Sequence, residues 1–63
     1  MTHTFAQTLS LMSSASVVAI AQSDKRRAWQ RTDARLELAR RIRTGDVADL
    51  DFAACVELGL VEE

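Results

Sequence analysis

Between Thr4 and Thr44 the chain contains neither glycine nor proline, and its only glycines are Gly45 and Gly59. Those two residue types interrupt helices most strongly and supply the tight turns of β hairpins. A stretch this long without either favours helix and pushes the sharp turns to positions 45 and 59. The chain has 63 residues, one Cys and one His. That length allows one domain, residues 1–63, whose core supplies roughly 3–5 kcal/mol. A single Cys closes no internal disulfide, and one Cys with one His is too few for a structural zinc site of about four ligands. What remains is regular helix packing, or burial against a second subunit. Hydrophobic content of 48% argues against disorder throughout.

Charge is segregated along the chain. Residues 1–23 carry no charged side chain. Residues 24–43 hold all eight bases (Lys25, Arg26, Arg27, Arg31, Arg35, Arg40, Arg41, Arg43) against Asp24, Asp33 and Glu37. Residues 44–63 hold Asp46, Asp49, Asp51, Glu57, Glu62 and Glu63 and no base. The net charge of −1 gives no global attraction to nucleic acid or membrane. The segregation implies a basic surface that is either shown to a partner or neutralised by the acidic tail. Residues 5–21 end in Ala19-Ile20-Ala21, a small-x-small pattern, but no base precedes them and serines interrupt the run. A cleaved signal is therefore not expected, and the stretch is too polar to span a membrane. A cytoplasmic setting is the expectation.

Thr4 to Gln22 reads as one helix capped by Thr2 or Thr4, with Phe5, Leu9, Met12, Ala19 and Ile20 on one stripe centred on Ser16. Leu11 and Val18 form a weaker second stripe. Ser23-Asp24 reads as the N-cap of a second helix that runs to Thr44, with Gly45 as its left-handed terminator. Trp29, Leu36, Ala39 and Ile42, joined by Ala28 and Leu38, form its expected apolar face. Glu37 is placed to pair with Arg40 and Arg41 one turn on. Lys25, Arg26 and Arg27 crowd the positive end of the helix dipole, which is unfavourable. One continuous helix from residue 4 to 44 is the rival arrangement. Phase favours the break, because the two stripes then face one core. A last short helix is expected after an Asp46 or Asp49 cap and before Gly59, with Leu50, Ala54 and Leu58 on one side and Phe52, Cys55 and Val56 on the other. A helix apolar all round needs cover on two sides, which motivates a homodimer.

The Arg-rich segment 24–43 carries the strongest local signal. Arg26, Arg27, Arg40 and Arg41 are candidate phosphate contacts; a solvated face with intrahelical pairs is the plainer account. Trp29 is core or an interface anchor. Arg31 and Arg35, expected along the apolar face near the Trp29 stripe, either grip a partner carboxylate or bridge to Asp49, Asp51 or Glu57. Phe52 and Val56 join Trp29, Arg31 and Arg35 as candidate partner contacts. Asp46, Asp49 and Asp51 miss the spacing of a calcium loop and suit capping better. Cys55 and His3 lack a third catalytic partner, so no enzyme, metal or cofactor is expected. The expected architecture is all-α, a helical hairpin with a short C-terminal helix, as a homodimer. The expected function is protein–protein interaction, as a regulator or inhibitor that occupies a surface of a larger protein. Nucleic-acid binding through the basic helix is the alternative, and membrane-surface binding is weaker because the first helix has no bases.

Overall fold

The structure, a computed structural model, describes residues 4–62, and among them it is all-α. Its helices are α1 (Phe5–Ser10), α2 (Ser14–Ala21), α3 (Ala28–Thr44) and α4 (Phe52–Glu57). Both α1 and α2 pack against α3. The chain therefore breaks between the first and second expected helices, and it breaks once more inside the first.

That inner break has a local cause. Ser13 adopts extended backbone and its Oγ accepts from the Ser16 N–H at 3.3 Å, so it caps a new helix instead of continuing the old one. Upstream, Thr4 and Gln7 form a reciprocal capping box on α1; Thr2, the other expected cap, lies outside the described residues. The break resets the phase of α2. Ser14, Val17, Val18 and Ala21 turn inward at helical spacing, whereas Ser16 and Ala19, expected on the stripe, are exposed. Leu9 and Ile20 are buried as expected, with Phe5 and Met12 partly buried against them.

The second helix starts at Ala28, not at Ser23-Asp24. Lys25, Arg26 and Arg27 lie in the connecting turn, which removes three cations from the first turn of a helix dipole. Gln30 Oε1 accepts from the Arg27 N–H at 3.2 Å and closes half of a capping box. At the other end Gly45 takes φ 81°; its N–H donates to the Ile42 carbonyl at 3.3 Å, and the Asp46 N–H donates to Arg41 at 2.9 Å. This left-handed terminator agrees with the sequence reading. The last helix is capped by Asp51, which accepts from the Ala54 N–H at 3.2 Å, rather than by Asp46 or Asp49. Gly59, φ 76°, ends it in the same way as Gly45 ends α3.

Leu9, Val17, Leu38 and Cys55 are fully buried, with Val18, Ile20, Ala21, Ala34, Leu50 and Ala54 around them. The face of α3 turned to this core is Ala34, Glu37, Leu38 and Arg41. Of the expected face Leu38 is fully buried as read, but the rest is corrected: Trp29 is 52% and Leu36 63% exposed, Ala28 is exposed, and Ala39 and Ile42 are only half-buried. At 100° per residue the two faces lie on nearly opposite sides of the helix. An Arg and a Glu occupy core-facing positions because they pair with each other there, so apolar periodicity alone points to the wrong side. The molecule is also thin. Its Cα atoms span 39 × 25 × 15 Å, and the smallest extent is that of about two packed layers of helix, since the Cα cylinder is about 4.6 Å across and helix axes pack about 8–10 Å apart. Not every side of α3 can be covered. The same holds for α4, where Ala54 and Cys55 are buried but Phe52 is 51% exposed. Within one chain α4 is covered on one side, not two.

Candidate functional site

Arg41 organises the interior. Its Nε donates to Glu37 Oε2 at 2.6 Å, Nη1 to Ser14 Oγ at 2.7 Å, and Nη2 to the carbonyls of Leu9 at 3.1 Å and Met12 at 2.6 Å. One guanidinium thus binds two carbonyls at the end of α1, that of Leu9 also accepting from the Met12 N–H at 3.1 Å, and holds the first residue of α2. Asp49 completes the arrangement from the far end of the chain. Its Oδ1 accepts from Ser14 Oγ at 2.9 Å and its Oδ2 from the Ser14 N–H at 3.3 Å, an orphan donor of the α2 N-terminus. Glu37 also receives a two-pronged grip from Arg40, at 3.1 and 2.7 Å. Hydrogen bonding from Arg40 first, and then from Arg41, holds the Glu37 carboxyl below the usual glutamate range despite its burial. Asp49 is lowered too, chiefly by the Ser14 hydroxyl and then the Ser14 N–H. The expected Glu37 pairs with Arg40 and Arg41 are both present.

This geometry revises the phosphate candidates. Arg41 is 4% exposed with its donors committed inward, so it presents no surface to a phosphate. Arg40 is half-exposed and bound to Glu37, which raises its pKa. Arg26 and Arg27 are exposed, with Lys25, in the turn before α3.

Two open depressions flank α3. The first is a groove of about 310 Å³ between α1 and α3, lined by Ala6, Leu36, Glu37, Ala39, Arg40 and Arg43. Leu36 and Trp29, seven residues apart, lie on one flank of α3. Trp29 meets Phe5 of α1 edge to face, with centroids 5.3 Å apart and planes at 75°, a favoured aromatic geometry. Phe5, Ala6, Trp29, Leu36 and Ala39 thus make a partly exposed apolar strip where α1 lies on α3. Exposed Arg43 and half-exposed Arg40 stand at its edge.

The second depression is a cleft of about 680 Å³ lined by Ala21, Gln22, Asp24, Arg31, Arg35, Glu57 and Leu58. Arg31 Nη1 reaches the Ser23 carbonyl at 3.4 Å, and Gln22 Nε2 donates to Glu57 Oε2 at 3.3 Å. Arg31 and Arg35 do not bridge to Asp49, Asp51 or Glu57. Among the described residues the ion pairs are those of Glu37 alone. Arg31 and Arg35 are brought together, but not beside Trp29, which lies across α3 from them at 100° per residue. Phe52 and Val56 lie on α4 and line neither depression.

No group of three or more His, Cys, Asp or Glu side chains that could hold a metal occurs among the described residues, and no described helix is long and apolar enough to cross a membrane. Burial, and secondarily the charge of Asp51, pushes the Cys55 thiol up, away from the reactive thiolate. His3 lies outside the described residues.

Sequence reasoning missed two elements of this picture. The Arg41–Ser14–Asp49 bridge links residues far apart in sequence; its one visible signal was Ser13-Ser14, a capping pair inside a presumed helix. The other is the exposure of the Trp29–Leu36 strip: the sequence leaves Trp29 open between core and interface anchor and places Leu36 in the core, whereas both are more than half exposed. Comparisons with protein-family models, curated proteins and solved structures find no match to this chain. The fold and its surfaces therefore define only a class, that of small all-α proteins.

Proposed function

We propose that this chain is a protein–protein interaction module that regulates or inhibits a larger protein by covering part of its surface. In this reading α2 and α3 form its helical hairpin, and the α1–α3 groove is the docking face. The observation that carries the proposal is Leu36: a leucine 63% exposed beside an apolar groove, a heptad from a half-exposed Trp29. Partly exposed Trp and neighbouring Arg residues are the side chains that anchor interfaces. The occupant is an amphipathic helix of the larger protein, apolar where it meets Trp29 and Leu36 and acidic at its edge. The acidic edge follows from charge: Arg43 is exposed without an ion pair among the described residues, and Lys25, Arg26 and Arg27 are exposed just before Trp29. Burial of Arg41 and capture of Arg40 by Glu37 favour this reading over nucleic-acid binding, since they remove the most inward of the four candidate phosphate contacts and engage another.

The test is photo-crosslinking in the cells that make the protein. A benzophenone side chain replaces Leu36 in one variant and exposed Ala53 of α4 in a control. The expected result is an adduct from position 36 but not from 53, mapped by mass spectrometry to an acid-flanked apolar helix of another protein. Adducts only to nucleic acid, equal adducts from both positions, or none from position 36 would overturn the proposal. Self-association as a homodimer is the second reading. It is favoured by Leu11, Trp29, Leu36 and Phe52, each more than half exposed on so small a chain. A concentration-independent monomer mass in sedimentation equilibrium would remove it.

A further inference from the structure

We propose that the cleft holding Arg31 and Arg35 is a second, separate binding site, for the carboxylate of an acidic peptide segment. Arg31 and Arg35 are one turn apart on α3, so their side chains rise as neighbours into the same cleft. Neither makes an ion pair among the described residues, and Arg31 makes only one long contact, 3.4 Å to the Ser23 carbonyl. These guanidinium groups are available, unlike that of Arg41. A planar fork of donors matches a carboxylate, and two adjacent forks can hold both of its oxygens.

The rest of the lining narrows the ligand. Asp24 and Glu57 stand in the same cleft, and Glu57 already accepts from Gln22 at 3.3 Å. Two carboxylates disfavour a phosphate dianion more than a singly charged carboxylate. They also offer acceptors to a donor near the ligand's acid, such as a peptide amide or a lysine. Ala21 and Leu58 supply a small apolar floor. The ligand class is thus an acidic side chain within a peptide, followed closely by a donor. The site lies on the other flank of α3 from Trp29 and Leu36, so one docked helix cannot fill both, and this site stands whether or not the groove reading does.

The experiment is nuclear magnetic resonance titration of the isotope-labelled full chain at low salt. The probes are an acetylated Glu-Lys dipeptide amide, its Gln-Lys counterpart and inorganic phosphate. The expected result is saturable shifts at the Nε–H groups of Arg31 and Arg35 and at the Gln22 side-chain amide with the Glu-Lys probe, and none with Gln-Lys. Arg31→Ala and Arg35→Ala should each weaken binding about two- to fivefold, as for other open charge pairs, and the double variant by about the product, roughly four- to twenty-five-fold. Trp29→Ala should leave it unchanged. All four variants must keep the wild-type backbone spectrum, which exposure of Arg35 and partial exposure of Arg31 and Trp29 favour. Tighter binding of phosphate, shifts spread equally over Lys25, Arg26 and Arg27, or no saturable shift at Arg31 and Arg35 would overturn the assignment.

Discussion

Replacing Arg41 by Ala removes four hydrogen bonds at once, those to Glu37, Ser14, Leu9 and Met12. Ser14 Oγ and the Met12 carbonyl then lose this donor, the Leu9 carbonyl keeps the Met12 N–H at 3.1 Å, and Glu37 keeps only Arg40. Taking one partner from a buried ion pair costs about 3–5 kcal/mol, and an unsatisfied buried acceptor costs about 1–3 kcal/mol. These terms overlap, because water can reach the new space and Glu37 remains held. About 3–4 kcal/mol is a reasonable net cost, within the range of the whole stability of a domain this size, roughly 3–5 kcal/mol. Arg41→Ala should therefore be largely unfolded at room temperature by far-ultraviolet circular dichroism. Arg41→Lys, which keeps the charge but cannot direct bonds to four acceptors, should fold with a lowered urea midpoint. A midpoint for Arg41→Ala within error of wild type would refute the reasoning. It would mean that the guanidinium does not join α1, α2 and α3.

Further outcomes follow from the same geometry. Leu38→Ala, at a fully buried site, should cost about 2–5 kcal/mol in urea melts, whereas Leu36→Ala, at an exposed one, should change stability by less than about 0.5 kcal/mol; the reverse order would place the core on the other side of α3. Acid should destabilise the fold through Glu37 and Asp49. Their folded-state pKa values are lowered, so their stabilisation is present above the ordinary values of 4.5 and 3.8 and is lost as pH falls through the folded ones. Glu37→Gln with Asp49→Asn should flatten the dependence of the urea midpoint on pH below about 4.5. Gly45→Ala meets no neighbour within 4 Å but must hold φ 81°, so a loss of about 1–2 kcal/mol is expected from backbone strain alone; an unchanged melt would show that the turn relaxes.

How much of this was legible depends on the range of the interaction. Local signals carried well: Gly45 and Gly59 as terminators, Thr4 as a cap, and Glu37 beside Arg40 and Arg41 were all readable from spacing. Long-range choices did not. Apolar periodicity placed Trp29 and Leu36 inward because hydrophobic residues usually are, and nothing local marks Arg41 as the inward residue. Its burial depends on the carbonyls of Leu9 and Met12, which a side-chain donor can reach because Ser13 ends the run; the Leu9 carbonyl also accepts from the Met12 N–H at 3.1 Å. Asp49 looked like a cap for the helix that follows it, yet it caps α2 across the fold. The cleft of Arg31 and Arg35 was half legible: their spacing one turn apart and their separation from Trp29 follow from 100° per residue, but its other wall, Ala21, Gln22, Glu57 and Leu58, comes from elements distant in sequence.

The groove reading can be tested through a reporter already present, since Trp29 is the only tryptophan in the chain and stands 52% exposed on the proposed docking face. The partner segment identified by crosslinking, made as a synthetic peptide, is titrated into the purified protein while Trp29 emission is recorded. The segment must itself lack tryptophan, or carry phenylalanine in its place. A saturable blue shift is predicted, as the indole loses water, and Leu36→Glu should abolish it while leaving the circular dichroism spectrum intact. Binding of the segment with Trp29 emission unchanged, or an equal blue shift in Leu36→Glu, would contradict the claim that this face is where the module docks.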